Sequence, residues 1–185
     1  KSISKFGFTA RQGHAYVSFN HFRLFWEVKT TKDYNKLYNG GSFSMFYKTP
    51  NEIVKNGLKY KYVKYNKSVV LRNPDYHFKP GVGFGKRGDI LDAHILPGGF
   101  SFTVEGQAFT GLSKENAYKL LSYLNSSTAQ FILNLYSGQH KYAGYVNLLP
   151  FKNKAYDPSI VKQIIDIKLK WSKFDETSLD YTPFT

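Results

Sequence analysis

At 185 residues the chain is long enough for one domain with a substantial core and too short for two large ones. It has no cysteine, which excludes disulfides and thiolate metal sites, and no apolar run near the ~20 residues of a membrane helix. Its 26 Lys and Arg stand against 13 Asp and Glu, a net of +13 at 18% aromatic content, which describes a folded basic surface suited to a polyanion rather than a disordered basic tail. The chain opens at Lys1 with neither an initiating Met nor a charged-then-apolar leader, so it reads as part of a longer protein with no secretory signal in view, in keeping with a reducing compartment.

The first half reads as strands and turns. Residues 21–28 alternate, with Phe22, Leu24, Trp26 and Val28 on one face and Arg23 and Glu27 on the other. A turn ending in Asn39-Gly40-Gly41 leads to a short strand over 42–47. Lys59–Tyr62 alternates again, and 68–71 reads as a buried strand. Pro97-Gly98-Gly99 is a turn before a strand at 100–104, where Phe100, Phe102 and Val104 share a face.

The second half changes period. Ser113 caps a helix running through Leu124. Ser127 and Gln130 have capping-box spacing and open a second helix, with Phe131 and Leu135 as its buried stripe and Gly138 as its stop. Asp157-Pro158 starts a third, in which Ile160, Val161, Ile164, Ile165 and Lys168 follow the helical period and Ile167, Leu169 and Trp171 extend the apolar coverage. The last dozen residues read as a tail or a cut linker. The expected fold is α+β (mixed α/β): a strand-rich N-terminal part with a twisted mixed sheet and a helical C-terminal part, divided as 1–156 and 157–185.

Catalytic motifs fail on context. Gly83, Gly85 and Gly88 have dinucleotide-loop spacing, but Pro80 precedes them and Lys86-Arg87-Gly88-Asp89 is a poor helix opening, so a Gly-rich turn is the simpler reading. Arg87 follows Gly85-Lys86 where a phosphate-binding loop needs Ser or Thr. Asn73-Pro74-Asp75-Tyr76 lacks the second proline of an amino-methyltransferase signature and reads as an Asx-Pro turn. Glu27-Val28-Lys29 has no preceding acid to complete a nuclease site, and the five histidines have no metal-ligand spacing. No nucleophile, base and orienting group come together, which points to a binding domain rather than an enzyme.

The middle is basic and aromatic. From Lys55 to Arg87 the cations are Lys55, Lys59, Lys61, Lys64, Lys67, Arg72, Lys79, Lys86 and Arg87, with Asp75 as the only acid and Tyr60, Tyr62, Tyr65, Tyr76, Phe78 and Phe84 interleaved. Lysine suits phosphate, arginine can fork onto guanine, and glycines let backbone amides approach a phosphate. The plainer account is a solvated strand face with lysines guarding an edge. As a cluster, a field of one sign repels itself unless a partner uses it.

Four stretches carry a family resemblance. They are Phe22–Val28, Tyr38–Tyr47 with its Gly40-Gly41, Arg72-Asn73-Pro74-Asp75-Tyr76-His77-Phe78-Lys79-Pro80-Gly81-Val82, and Leu120–Pro150 with Leu124-Asn125-Ser126-Ser127 and Tyr145-Val146-Asn147-Leu148-Leu149-Pro150. In that order they resemble the target recognition region of BREX-type DNA adenine methyltransferases and type IIG restriction-modification enzymes, itself similar to the recognition domains of type I restriction specificity subunits. Two departures stand out: Ser44-Met45 replaces the family's Arg-Lys pair, and Gly83-Phe84 replaces a polar-aromatic pair.

The resemblance implies a bacterial, cytoplasmic protein taking part in phage defence. A separate methyltransferase domain of the same parent chain would hold S-adenosylmethionine and flip the adenine, while this part clamps double-stranded DNA. Phosphates would be gripped by Lys48, Lys59, Lys61, Lys64, Lys79 and Lys141. Base edges would be read by Arg72, His77, Lys86, Arg87, Gln139 and His140. The alternative is a single-stranded nucleic-acid or carbohydrate module stacking on exposed Tyr60, Tyr62, Tyr65 and Phe84. The 157–172 helix is then either the start of a spacer or a wall of the domain itself.

Overall fold

The computed structural model describes residues 1–16, 22–40, 44–55, 69–152 and 156–183. Short strands come first: β1 (Ala10–Arg11), β2 (Ala15–Tyr16), β3 (Phe22–Leu24), β4 (Tyr34–Tyr38), β5 (Phe46–Tyr47), β6 (Glu52–Lys55), β7 (Val69–Val70), β8 (Gly81–Gly85), β9 (His94–Leu96), β10 (Phe100–Phe102) and β11 (Gly106–Thr110). Helices follow: α1 (Lys114–Leu124), α2 (Ser127–Asn134), α3 (Ala143–Leu148) and α4 (Pro158–Ser172). The fold is α+β, with its helices in the C-terminal half. Lys59, Lys61 and Lys64, the expected strand at 59–62, and Tyr60, Tyr62 and Tyr65 lie outside the described residues.

The strands form a five-stranded sheet in the order β1-β11-β8-β9-β5, a four-stranded sheet β10-β4-β6-β3 and a two-stranded ribbon β2-β7. At the centre of the larger sheet β8 reads Gly-Val-Gly-Phe-Gly, and its period of two gives it two unlike faces. Val82 and Phe84 face the main core with Phe109, α1, α2 and α4. Gly81, Gly83 and Gly85 form the other, smooth face, and there Tyr38 of the second sheet lies down. A Cβ at Gly83 would stand 2.8 Å from Tyr38 Cε1 and 2.9 Å from His94 Nε2. Tyr38, Leu96, Phe100, Phe102 and Ala108 complete that smaller core.

Side-chain amides lock the helices to edge strand β1 and to the segment leading into β9. Asn147 of α3 accepts from Ala10 N–H (2.8 Å) and donates to its carbonyl (3.1 Å), so it pairs with edge strand β1 as another strand would. Asn125 holds Ala93 in the same two-bond way, and Gln130 holds Leu91. All three amides, Asn125, Gln130 and Asn147, sit in the 120–150 stretch that carries the resemblance; their work here is structural.

Several expectations change. The strand expected over 21–28 is extended only at 22–24; Phe25–Glu27 is a 3-10 turn, because Glu27 folds back to accept from the Leu24 N–H at 2.8 Å. That leaves Trp26 47% exposed. Residues 34–38, expected as a turn, are a strand, and Val70, expected buried, is exposed. The second helix is capped by Ser126 rather than Ser127, and Ala129 and Leu133 form its inner face while Phe131 and Leu135 point outward. It closes at Leu135, ahead of Gly138.

Asp157 caps α4 as expected, and Val161 and Ile165 enter the main core, so this helix is a wall of the domain packed on α1 and β5. Its Ile167 and Trp171 face outward. The tail after it is fastened. Tyr47 Oη donates to Asp180, Ser178 and Ser172 hydroxyls meet at 2.7 Å, and Leu179 N–H donates to Pro50 O at 2.7 Å.

Candidate nucleic-acid interface

The glycine run first excludes one chemistry. Gly81–Gly85 is a buried central strand between two cores, not a turn or loop; it is laddered to β9 and β11 and its last N–H, at Gly85, donates to Asp92 Oδ1 at 3.0 Å, so it offers no cradle to a cofactor's pyrophosphate. Where β8 ends the chain emerges at Lys86-Arg87, and there it meets a segment about fifty residues away. Arg87 and His140 form an antiparallel bridge. Lys141 N–H donates to Lys86 O at 2.6 Å, and Gly88 N–H donates to Gln139 O at 3.0 Å. Four residues chosen from sequence as base readers, Lys86, Arg87, Gln139 and His140, thus share one ledge.

The ledge has an aromatic side that the sequence reading passed over. His140 stacks near Tyr142 (5.8 Å, 23°), Lys86 Nζ sits 5.2 Å from the Tyr142 ring centre, and Tyr142 packs edge-on to Tyr145. Tyr136 joins them by donating its hydroxyl to Tyr145 O at 3.1 Å. All three tyrosines are exposed. The sequence carries these rings as Tyr-x5-Tyr-x2-Tyr around His140, a spacing that does not by itself place them on one edge.

Glu105 is the second omission. Lys86 Nζ and Arg87 Nε each reach its carboxylate at 3.0 Å. Partial burial works to raise that carboxyl, yet the bonds and charges of Lys86 and Arg87 outweigh it and hold it below its ordinary range. The two cations differ in freedom. The Lys86 side chain is 15% exposed and that of Arg87 is 70% exposed.

A second cluster lies around Arg72. Its guanidinium donates to Gln12 Oε1 at 2.5 Å. Arg11 lies 3.7 Å over the Tyr76 ring, and Lys79 reaches the same ring at 5.7 Å. Arg72 and Lys79 are exposed, as a surface role needs.

Other expected contacts are turned inward. His77 is 4% exposed, sandwiched between His14 (3.8 Å) and Phe102 (4.3 Å), so it cannot reach a base edge. Lys141 is 1% exposed; its ammonium donates to Asn134 Oδ1 and to Gly138 O at 2.7 Å, where burial pushes it below its ordinary value against the pull of Asp89. That lysine closes the turn after α2 from inside rather than meeting phosphate. Lys48 is half-buried, donating to Gly40 O at 3.0 Å and facing Glu52 at 3.6 Å. Phe84 is fully buried and is no stacking platform.

Among the described residues no three His, Asp or Glu side chains gather as metal ligands, and no helix is long and apolar enough to cross a membrane. No family model matches the chain, and no curated protein matches it.

Proposed function

We propose that this chain is the duplex-DNA recognition domain of a site-specific adenine-N6 DNA methyltransferase or restriction-modification enzyme of the bacterial cytoplasm. It contributes binding; S-adenosylmethionine and the methyl transfer belong to a methyltransferase domain of the same parent chain. The observation that carries this reading is the ledge, where 86–88 and 139–142 bring two cations, an amide and an imidazole onto one exposed edge. The resemblance over residues 20–150 and the net charge of +13 support it.

Of the two cations on the ledge, Arg87 is the one that reaches DNA phosphate. An exposed ion pair such as Arg87–Glu105 is worth only ~0–1 kcal/mol, so exchanging that carboxylate for a phosphate costs little. Lys86 stays on Glu105 and adds field rather than contact, and Gln139 and His140 face the groove beside it. Phosphate contacts set register, and base-edge contacts choose the site. Arg87→Ala should weaken binding to a short duplex, read by fluorescence anisotropy, and lower the salt slope by about one. An unchanged affinity and slope would remove the ledge from the interface.

The exposed Tyr136, Tyr142 and Tyr145 favour a second reading, a single-strand stacking platform. Tighter binding to a single strand than to the duplex, lost in Tyr142→Ala, would select it.

A further inference from the structure

We infer that Arg72 is the base-reading arginine of this domain and that the buried His14–His77 stack is the device that fixes it for that task; the base contact rests on the duplex reading above. Both backbone polar groups of Arg72 end on a histidine. Its N–H donates to His14 Nδ1 at 3.1 Å. Its carbonyl lies 3.1 Å from His77 Nε2.

The tautomer follows from the partners. Phe102 N–H points at His77 Nδ1 (3.3 Å), and the Ser101 hydroxyl lies 2.9 Å from the same atom. Nδ1 is therefore the acceptor, the proton sits on Nε2, and Nε2–H donates to the Arg72 carbonyl. The next residue adds a third hold. Asn73 stands in the left-handed region (φ 48) and its amide donates to Gln12 O at 2.8 Å. Gln12 then takes the Arg72 guanidinium on its own side-chain oxygen, so the backbone and the head of the arginine are both held from within the chain.

A phosphate counterion does not need this. A flexible stem lets it find the nearest charge, and Lys79, resting on a ring, is built that way. Reading guanine O6 and N7 with a planar fork does need it, because the fork must arrive within ~10–20° of one orientation, set by supporting bonds behind it. Arg72 is an exposed residue held at its backbone and at Nη1, which leaves the other donors of its fork for a base, while His77 and His14 are positioning residues that touch no base.

The test uses the whole chain, a pool of randomised duplexes and NMR relaxation of the Arg72 backbone amide and side-chain Nε. Arg72→Lys keeps the charge and loses the fork. It should lower the preference of the selected duplex over a random one by about 5- to 150-fold and leave the salt slope unchanged. His77→Phe keeps the ring sandwich and removes its hydrogen bonds. It should increase the motion of both Arg72 groups and lower the same preference while the charge stays in place. Arg72→Lys with the wild-type preference would overturn the base contact, and His77→Phe with unchanged relaxation would overturn the positioning role. A wild-type chain with no sequence preference would overturn the base contact together with the duplex reading, while the relaxation comparison would still decide whether the histidine pair orders Arg72.

Discussion

Gly83 shows how one missing side chain holds two sheets together. Its Cα face is covered by Tyr38 and His94 so closely that a methyl group would meet both under 3.0 Å. Gly83→Ala should therefore destabilise the domain by about 1–3 kcal/mol, read as a lower urea midpoint. That exceeds the ~0.4–1 kcal/mol an alanine returns by stiffening the unfolded chain. A higher midpoint would contradict the packing. His14, His77 and His94 make a pH prediction. Burial lowers them from 6.5 to about 3, 4 and 3, with like charge between His14 and His77 acting on the former. The unfolded chain thus takes up protons first. The stability these histidines give is full above pH 6.5 and falls as pH drops toward 4. At pH 5 the loss is roughly 2 kcal/mol per histidine at most, measured by urea titrations at pH 7.5 and 5. A midpoint that holds across that interval would place these rings in water.

At the scale of elements, the phase of α2 is the sharpest prediction. Leu133→Ala should cost about 2–5 kcal/mol and Phe131→Ala within ~0.5 kcal/mol, by chemical denaturation. Equal costs would mean the helix is turned as its sequence first suggests. Periodicity favoured Phe131 and Leu135 because they are large. The structure instead seats Ala129 and Leu133, since Gln130 is drawn to the Leu91 backbone and fixes the rotation. Where a cap and a period agreed, at Ser113 and Asp157, the helices were legible from sequence. Many strands were not. β8 is an alternating strand whose outer face is glycine, so it carries no polar-apolar signal, and β1, β2, β5 and β7 are two residues long, held by pairing rather than by local pattern. The site was legible in part. Arg87 and His140 follow from charge and residue type, but their adjacency depends on a backbone bridge between distant segments, and the burial of His77 depends on His14 and Phe102, which are likewise distant in sequence.

At the scale of the whole molecule, a net charge of +13 on 185 residues sets the behaviour. Individual pairs trim that field: Glu105 takes up Lys86 and Arg87, and Glu52 faces Lys48. Among the described residues every Lys and Arg but Lys141 is at least partly exposed, and a surface field of this sign strengthens any approach to a polyanion and screens away within ~10 Å at 0.1 M salt. The most direct measurement is the duplex affinity of the intact chain as a function of salt. If 6–10 phosphates are neutralised, affinity should fall ~10³–10⁵-fold between 50 and 200 mM, linearly on logarithmic axes. An affinity independent of salt, or no binding to any duplex at 50 mM, would contradict the account.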